Sequence, residues 1–162
     1  MPASLIIPHP LCDGAKILIE AEVLERLFQF RQVDLNSPES GGILMGYRRQ
    51  HHLHIVAISS PQPGDKQQRF RFHRQAESHQ RIALRHWRAQ KQTMDYLGEW
   101  HTHPEARPSP SSIDMGEWRR LCASKAVPMV FLIVGNQCAI WVGVGEGKDL
   151  KGDIVLVPPR GL

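Results

Sequence analysis

The stretch "YLGEWHTHPEARPSPSSIDMGEW", residues 96–118, decides the fold. An apolar run ends in two histidines one residue apart, and a proline-broken polar loop then carries the chain to Ser111 and Asp114. The composition predicts a strand over Tyr96–His101 and a helix over Ser111–Ser124, opened by the S-x-x-D capping pattern. Alternate strand residues share a face, so His101 and His103 project their imidazoles together while Thr102 points away.

Upstream, "KILIEAEVLERLFQFRQ" (16–32) begins as a short apolar strand and continues as an amphipathic helix, with Val23, Leu24, Leu27, Phe28 and Arg31 at spacings of three and four. Asn36, Pro38 and two glycines break that helix, and Gly41–Arg49 resumes as a strand that forms a hairpin with "HHLHIVAISSP" (51–61). "QPGDKQQ" (62–68) reads as a turn or loop, and "RFRFH" (69–73) alternates as a half-buried strand does. Gln75–Met94 contains neither glycine nor proline and reads as a helix with Ala76, Ala83, Trp87 and Met94 on one face. Downstream, "PMVFLIVG" and "CAIWVGVG" are two strands joined by a tight turn, and "DIVLV" is a last strand. Helices interleaved with a largely antiparallel sheet make an α+β fold, a mixed α/β/α sandwich. No repeat or linker interrupts it, so residues 1–162 are expected to form one domain.

Composition narrows the function. A chain of 162 residues with 41% hydrophobic and 22% charged residues can bury one continuous core. No apolar run is long enough to span a membrane, and "MPASLIIPHPLCDG" lacks the basic start and long apolar segment of a secretory signal, so the expected location is cytoplasmic. Cys12, Cys122 and Cys138 are too few and too scattered for a disulfide framework and are expected to be reduced and mostly buried. A formal charge of +4 beside 16 acidic residues is not the bias of a dedicated nucleic-acid binder.

The chemistry gathers around the histidines. Two imidazoles on one face suit a chelate, and Asp114, eleven residues beyond His103, would close a His, His, Asp set with a fourth position left open for water. Each part also has a plain structural reading, since S-x-x-D is a common helix cap and an isolated H-x-H is commonly a strand end. The combination H-x-H-x(7)-S-x-x-D is rarer, arising by chance in roughly 0.1% of chains of this composition, and a cap does not explain two histidines. A zinc hydrolase further needs a carboxylate to move the water's proton. Glu39, followed by glycines that allow close backbone approach, is one candidate; Glu99 and Glu105, which flank the histidines, are its rivals, and Glu99 suits a supporting role equally well.

Glu39, His101-Thr102-His103-Pro104, Ser111 and Asp114, in the contexts "ESGGILMG" and "GEWHTHP", closely resemble the JAMM motif of the JAB/MPN+ metalloproteases over about residues 15 to 145. The resemblance implies a cytidine-deaminase-like JAB/MPN fold and a Zn2+-dependent isopeptidase acting next to the C-terminus of ubiquitin-like or sulfur-carrier proteins. It implies His101, His103 and Asp114 as metal ligands, Glu39 as the base and Ser111 as hydrogen-bond donor to the water or the tetrahedral oxyanion. The segments "PQPGDKQQ" and "PEARPSP" are shorter than the ubiquitin-gripping insertions of eukaryotic members. The chain looks more like the stand-alone bacterial JAB peptidases of CBASS anti-phage operons. These work beside an E1/E2-like protein and remove conjugates from the C-terminal tail of a cGAS-like nucleotidyltransferase (CD-NTase), the expected protein substrate.

Arg81, Arg85 and Arg88 recur at spacings of four and three on the Gln75–Met94 helix, either a docking face for an acidic partner or a solvated surface. A RadC-like JAB protein with a DNA-related role would use that stripe. A non-catalytic MPN scaffold would typically lack the metal ligands, which this chain retains. Trp100 and Trp118 are expected to pack rather than to touch substrate.

Overall fold

A computed structural model of the chain describes residues 3–34, 36–61, 66–68, 71–73, 82 and 94–158. Its elements in chain order are β1 (Leu5–Pro8), β2 (Lys16–Ile19), α1 (Ala21–Gln29), β3 (Gly41–Arg49), β4 (His52–Ile58), β5 (Lys66–Gln68), β6 (Arg71–His73) and β7 (Asp95–Thr102). They are followed by α2 (Ser112–Ala123), β8 (Met129–Val134), β9 (Ala139–Glu146) and β10 (Asp149–Leu156).

Eight strands form one sheet in the order β1-β2-β4-β3-β7-β8-β9-β10, and β5 pairs with β6 in a separate ribbon. The β2–β4 and β7–β8 pairs are parallel and the others antiparallel, as the expected largely antiparallel sheet requires. Helix α2 makes the crossover between parallel β7 and β8, which places its N-terminus beside the end of β7.

Alternation along β8 sorts the core into two layers. Val130, Leu132 and Val134 pack with Val23, Leu24 and Leu27 of α1, whereas Met129, Phe131 and Ile133 pack with Trp118 and Cys122 of α2. Among the described residues one helix covers each face of the sheet, in keeping with the α/β/α layering expected of the chain. Gly98 lets β7 approach β8 closely, because a side chain there would overlap the Val130 carbonyl.

Several local expectations change. Residues 5–8 form edge strand β1, which the proline-flanked segment did not announce; four residues carry too little alternation to be read. Lys66–Gln68 is a strand rather than a loop. Helix α1 stops at Gln29, and Arg31 lies beyond it, donating to the Phe28 and Gln137 carbonyls. Of the cysteines only Cys122 is buried; Cys12 is half-buried and Cys138 exposed. Arg81, Arg85, Arg88 and Trp87 lie outside the described residues. Among the described residues, no helix is long and apolar enough to cross a membrane.

Candidate metal centre

Three elements bring the candidate residues together. Strand β7 carries His101 opposite Gly41 of β3, and Ser40 exchanges hydrogen bonds with Thr102: the Thr102 N–H donates to the Ser40 carbonyl and the Ser40 N–H to Thr102 Oγ1, each at 2.9 Å. Glu39, one residue before Ser40, offers a carboxylate oxygen within 4.8 Å of a ring nitrogen of each histidine. Gly41 carries no side chain opposite His101. The His103 N–H donates to the Val134 carbonyl at 3.0 Å, so the second histidine stays tied to the sheet just past the strand end.

Helix α2 supplies the third group. Ser111 is its N-cap: its Oγ accepts from the Asp114 N–H at 3.0 Å, and Asp114 Oδ2 accepts from the Ser111 N–H at 2.8 Å. The same Oδ2 lies 3.3 Å from both His101 Nε2 and His103 Nε2, which are themselves 3.1 Å apart. The two readings of S-x-x-D therefore hold together, since the capping box fixes the carboxylate that faces the imidazoles.

That spacing is the fit test for a metal. A tetrahedral ion with bonds of about 2.0–2.1 Å separates its ligand atoms by about 3.3–3.4 Å, and the Nε2, Nε2, Oδ2 triangle is close to that edge length. Glu39, His101 and His103 also offer donor atoms within 4.8 Å of one another. Glu39 is only 4% exposed, and its Oε2 has no hydrogen-bond partner among the described residues. A buried carboxylate oxygen without a donor is costly, and a water or a cation in the open position would relieve it.

The surroundings tune these groups. Burial pushes the Glu39 pKa up to about 8, with nearby His103 opposing and Asp114 adding to the rise. Burial would also raise Asp114, but hydrogen bonds from His101, His103 and the Ser111 N–H hold its carboxyl well below the usual range. For His103 burial works downward, yet Asp114, Glu39 and Glu105 hold it above its ordinary value. Trp118 packs its ring 5.6 Å from that of His101 and stacks on Phe131 and Trp141, so it braces a site residue while belonging to the core. Trp100 is buried on the other face and donates to the Ser59 carbonyl.

The two rival carboxylates have partners of their own. Glu99 accepts from the Tyr96 hydroxyl at 3.4 Å, and Glu105 Oε1 sits 3.0 Å from His103 Nδ1, behind the ring. Sequence reasoning missed Gln32, which is 1% exposed and links Thr102 Oγ1 to the Ser37 carbonyl, bracing the segment that carries Glu39. A polar residue just past a helix end gives no periodic signal that would have found it.

Residues 20–144 match the family model described as prokaryotic homologs of the JAB domain, a span that includes all five candidate residues. The chain belongs to the prokaryotic JAB-domain family. Among proteins similar to this JAB domain, one from Vibrio cholerae is 42% identical over 130 residues, covering 80% of this chain and 82% of the relative. One from Escherichia coli is 41% identical over 139 residues, covering 85% of each chain. Both bear the name CD-NTase/cGAS isopeptidase. The solution structure of a Desulfitobacterium hafniense protein superposes with a TM-score of 0.60 at 18% identity, covering 83% of this chain and 88% of the other, and so shares the JAB domain's fold.

Proposed function

We propose that this JAB domain is a zinc-dependent isopeptidase that releases a protein joined to the C-terminal tail of a cGAS-like nucleotidyltransferase, in the cytoplasm and in bacterial anti-phage defence, beside an E1/E2-like protein. The observation that carries the proposal is the His101, His103, Asp114 triangle with the unpartnered Glu39 oxygen beside it. The names of the Vibrio cholerae and Escherichia coli relatives support the reaction class and the substrate.

In this reading His101, His103 and Asp114 hold the ion. Zinc bound there supplies Lewis acidity toward a carbonyl oxygen and makes water more acidic. Glu39, whose buried carboxylate a neighbouring cation would keep ionised, accepts a proton from water and returns it to the leaving amine. Ser111 Oγ already accepts from the Asp114 N–H, so its own hydroxyl proton is available to the oxyanion that develops at the scissile carbon. The capping box thus aligns the donor and the metal-facing carboxylate in one turn of helix. The His101, His103, Asp114 donor set speaks against a scaffold.

Glu39→Gln is expected to retain about one zinc per chain while lowering cleavage of a cGAS-like tail fusion by about 10²–10⁴-fold. His103→Ala is expected to lose the zinc as well. Turnover retained in Glu39→Gln would remove the base assignment, and wild-type protein purified without chelator yet free of metal would overturn the zinc reading.

A further inference from the structure

The carboxylate behind His103 has a placement that the reaction above does not use. Glu105 Oε1 lies 3.0 Å from His103 Nδ1, while His103 Nε2 points toward Asp114 and His101. Among the described residues, His101 has no comparable acceptor at its Nδ1. An exposed ion pair of this kind contributes little to stability, and the Glu105 side chain is 49% exposed. Its backbone, however, is anchored. The Asn136 N–H donates to the Glu105 carbonyl at 2.8 Å, and the turn after β8 presses against the loop so closely that a Cβ on Gly135 would come within 2.7 Å of that carbonyl and 2.9 Å of Pro108 Cδ. Pro108 is itself buried. The reversal after Pro104 is thereby fixed by the sheet, and it returns the Glu105 carboxylate to the ring two residues earlier.

We infer that Glu105 is a positioning residue that holds the His103 ring with its proton on Nδ1 and its Nε2 lone pair facing the metal position, and so raises zinc affinity. The inference rests on the ligand assignment above. An acceptor at Nδ1 selects the tautomer in which Nε2 is unprotonated, restricts ring rotation and makes Nε2 a better donor. With reach supplied by an anchored loop, the length of the side chain matters as well as its charge. Asp at this position keeps the charge and falls short by one methylene, whereas Gln keeps the reach and can accept through its amide oxygen.

The test is zinc affinity by chelator competition for wild type, Glu105→Ala, Glu105→Asp and Glu105→Gln, with nitrogen NMR of the His103 ring, above the pH at which it titrates, in metal-free proteins that also carry Asp114→Ala, so that no carboxylate competes for the proton at Nε2. Glu105→Ala and Glu105→Asp are expected to bind zinc about 10–100-fold more weakly and to shift His103 away from the Nδ1-protonated tautomer. Glu105→Gln is expected to stay within about threefold of wild type with the tautomer kept. Unchanged affinity and tautomer in Glu105→Ala would overturn the inference, as would an Asp variant equal to wild type beside a weakened Gln variant, which would mean that only net charge matters. Were wild type to bind no zinc, the functional reading would fail, and the metal-free tautomer measurement would still decide the role of Glu105.

Discussion

The two faces of β7 do opposite things with the same eight residues. On the α1 side, Trp100 packs into the main core and tilts against Phe30 at 5.4 Å, and Thr102 passes its hydrogen bonds to Ser40 and Gln32. On the α2 side, His101 and the adjoining His103 meet Asp114 in a triangle of donor atoms, and Glu39 leaves a buried oxygen without a partner. One face spends burial on stability, while the other withholds satisfaction where a ligand belongs. The difference teaches that the site is held by the closed face: the Ser40–Thr102 bonds fix where Glu39 stands, although neither residue faces the histidines.

The strongest way to break the comparison is Trp100→Ala. Removing a ring that is 1% exposed and hydrogen-bonded to the Ser59 carbonyl is expected to cost about 3–5 kcal/mol in denaturant unfolding. Protein still folded by circular dichroism is expected to bind zinc in the wild-type ratio, because the donor atoms lie on the far face. Loss of zinc from folded Trp100→Ala would show that the faces are not separable.

Thr102→Val sharpens the same division at smaller cost. It keeps the shape and removes the hydroxyl that accepts from the Ser40 N–H and donates to Gln32, at an expected cost of about 1–2 kcal/mol. Because the network braces the Glu39 segment and not the metal-facing groups, turnover is expected to fall more than zinc affinity. Equal falls in both would argue that Thr102 supports the histidines instead.

What could be read in advance follows the same line. Strand alternation and a helix cap are local devices, so the shared face of His101 and His103 and the start of α2 at Ser111 were legible from spacing. The glycines after Glu39 made it one candidate base among three, but its pairing with the histidines, across the 62 residues between Ser40 and Thr102, came from the family resemblance. Glu105 was visible as a carboxylate near the histidines, but its direction was not, because the loop's reversal is set by contacts with Gly135 and Asn136 from another strand turn. Gln32 was silent for the same reason: a buried polar residue declares its role only through distant partners.

The smallest effect concerns the unpartnered oxygen itself, in protein stripped of metal. Burial lifts the folded-state pKa of Glu39 from 4.5 to about 8. Between those values the unfolded chain has lost the proton and the folded chain keeps it, so the folded state binds more protons and stability must fall as pH rises from about 5 to about 8. His103, also raised, acts in the same direction, whereas the lowered Asp114 titrates below this window. Subtracting the profile of Glu39→Gln isolates the Glu39 share, which is expected to be on the order of 1 kcal/mol once water reaching the site is allowed for. Added zinc is expected to flatten the wild-type profile, since a cation beside Glu39 favours the ionised form and removes the reason for holding the proton. A metal-free wild type whose stability is level from pH 5 to 8 would mean that Glu39 already has a partner in solution, and the contrast between the faces of β7 would then lie in geometry alone.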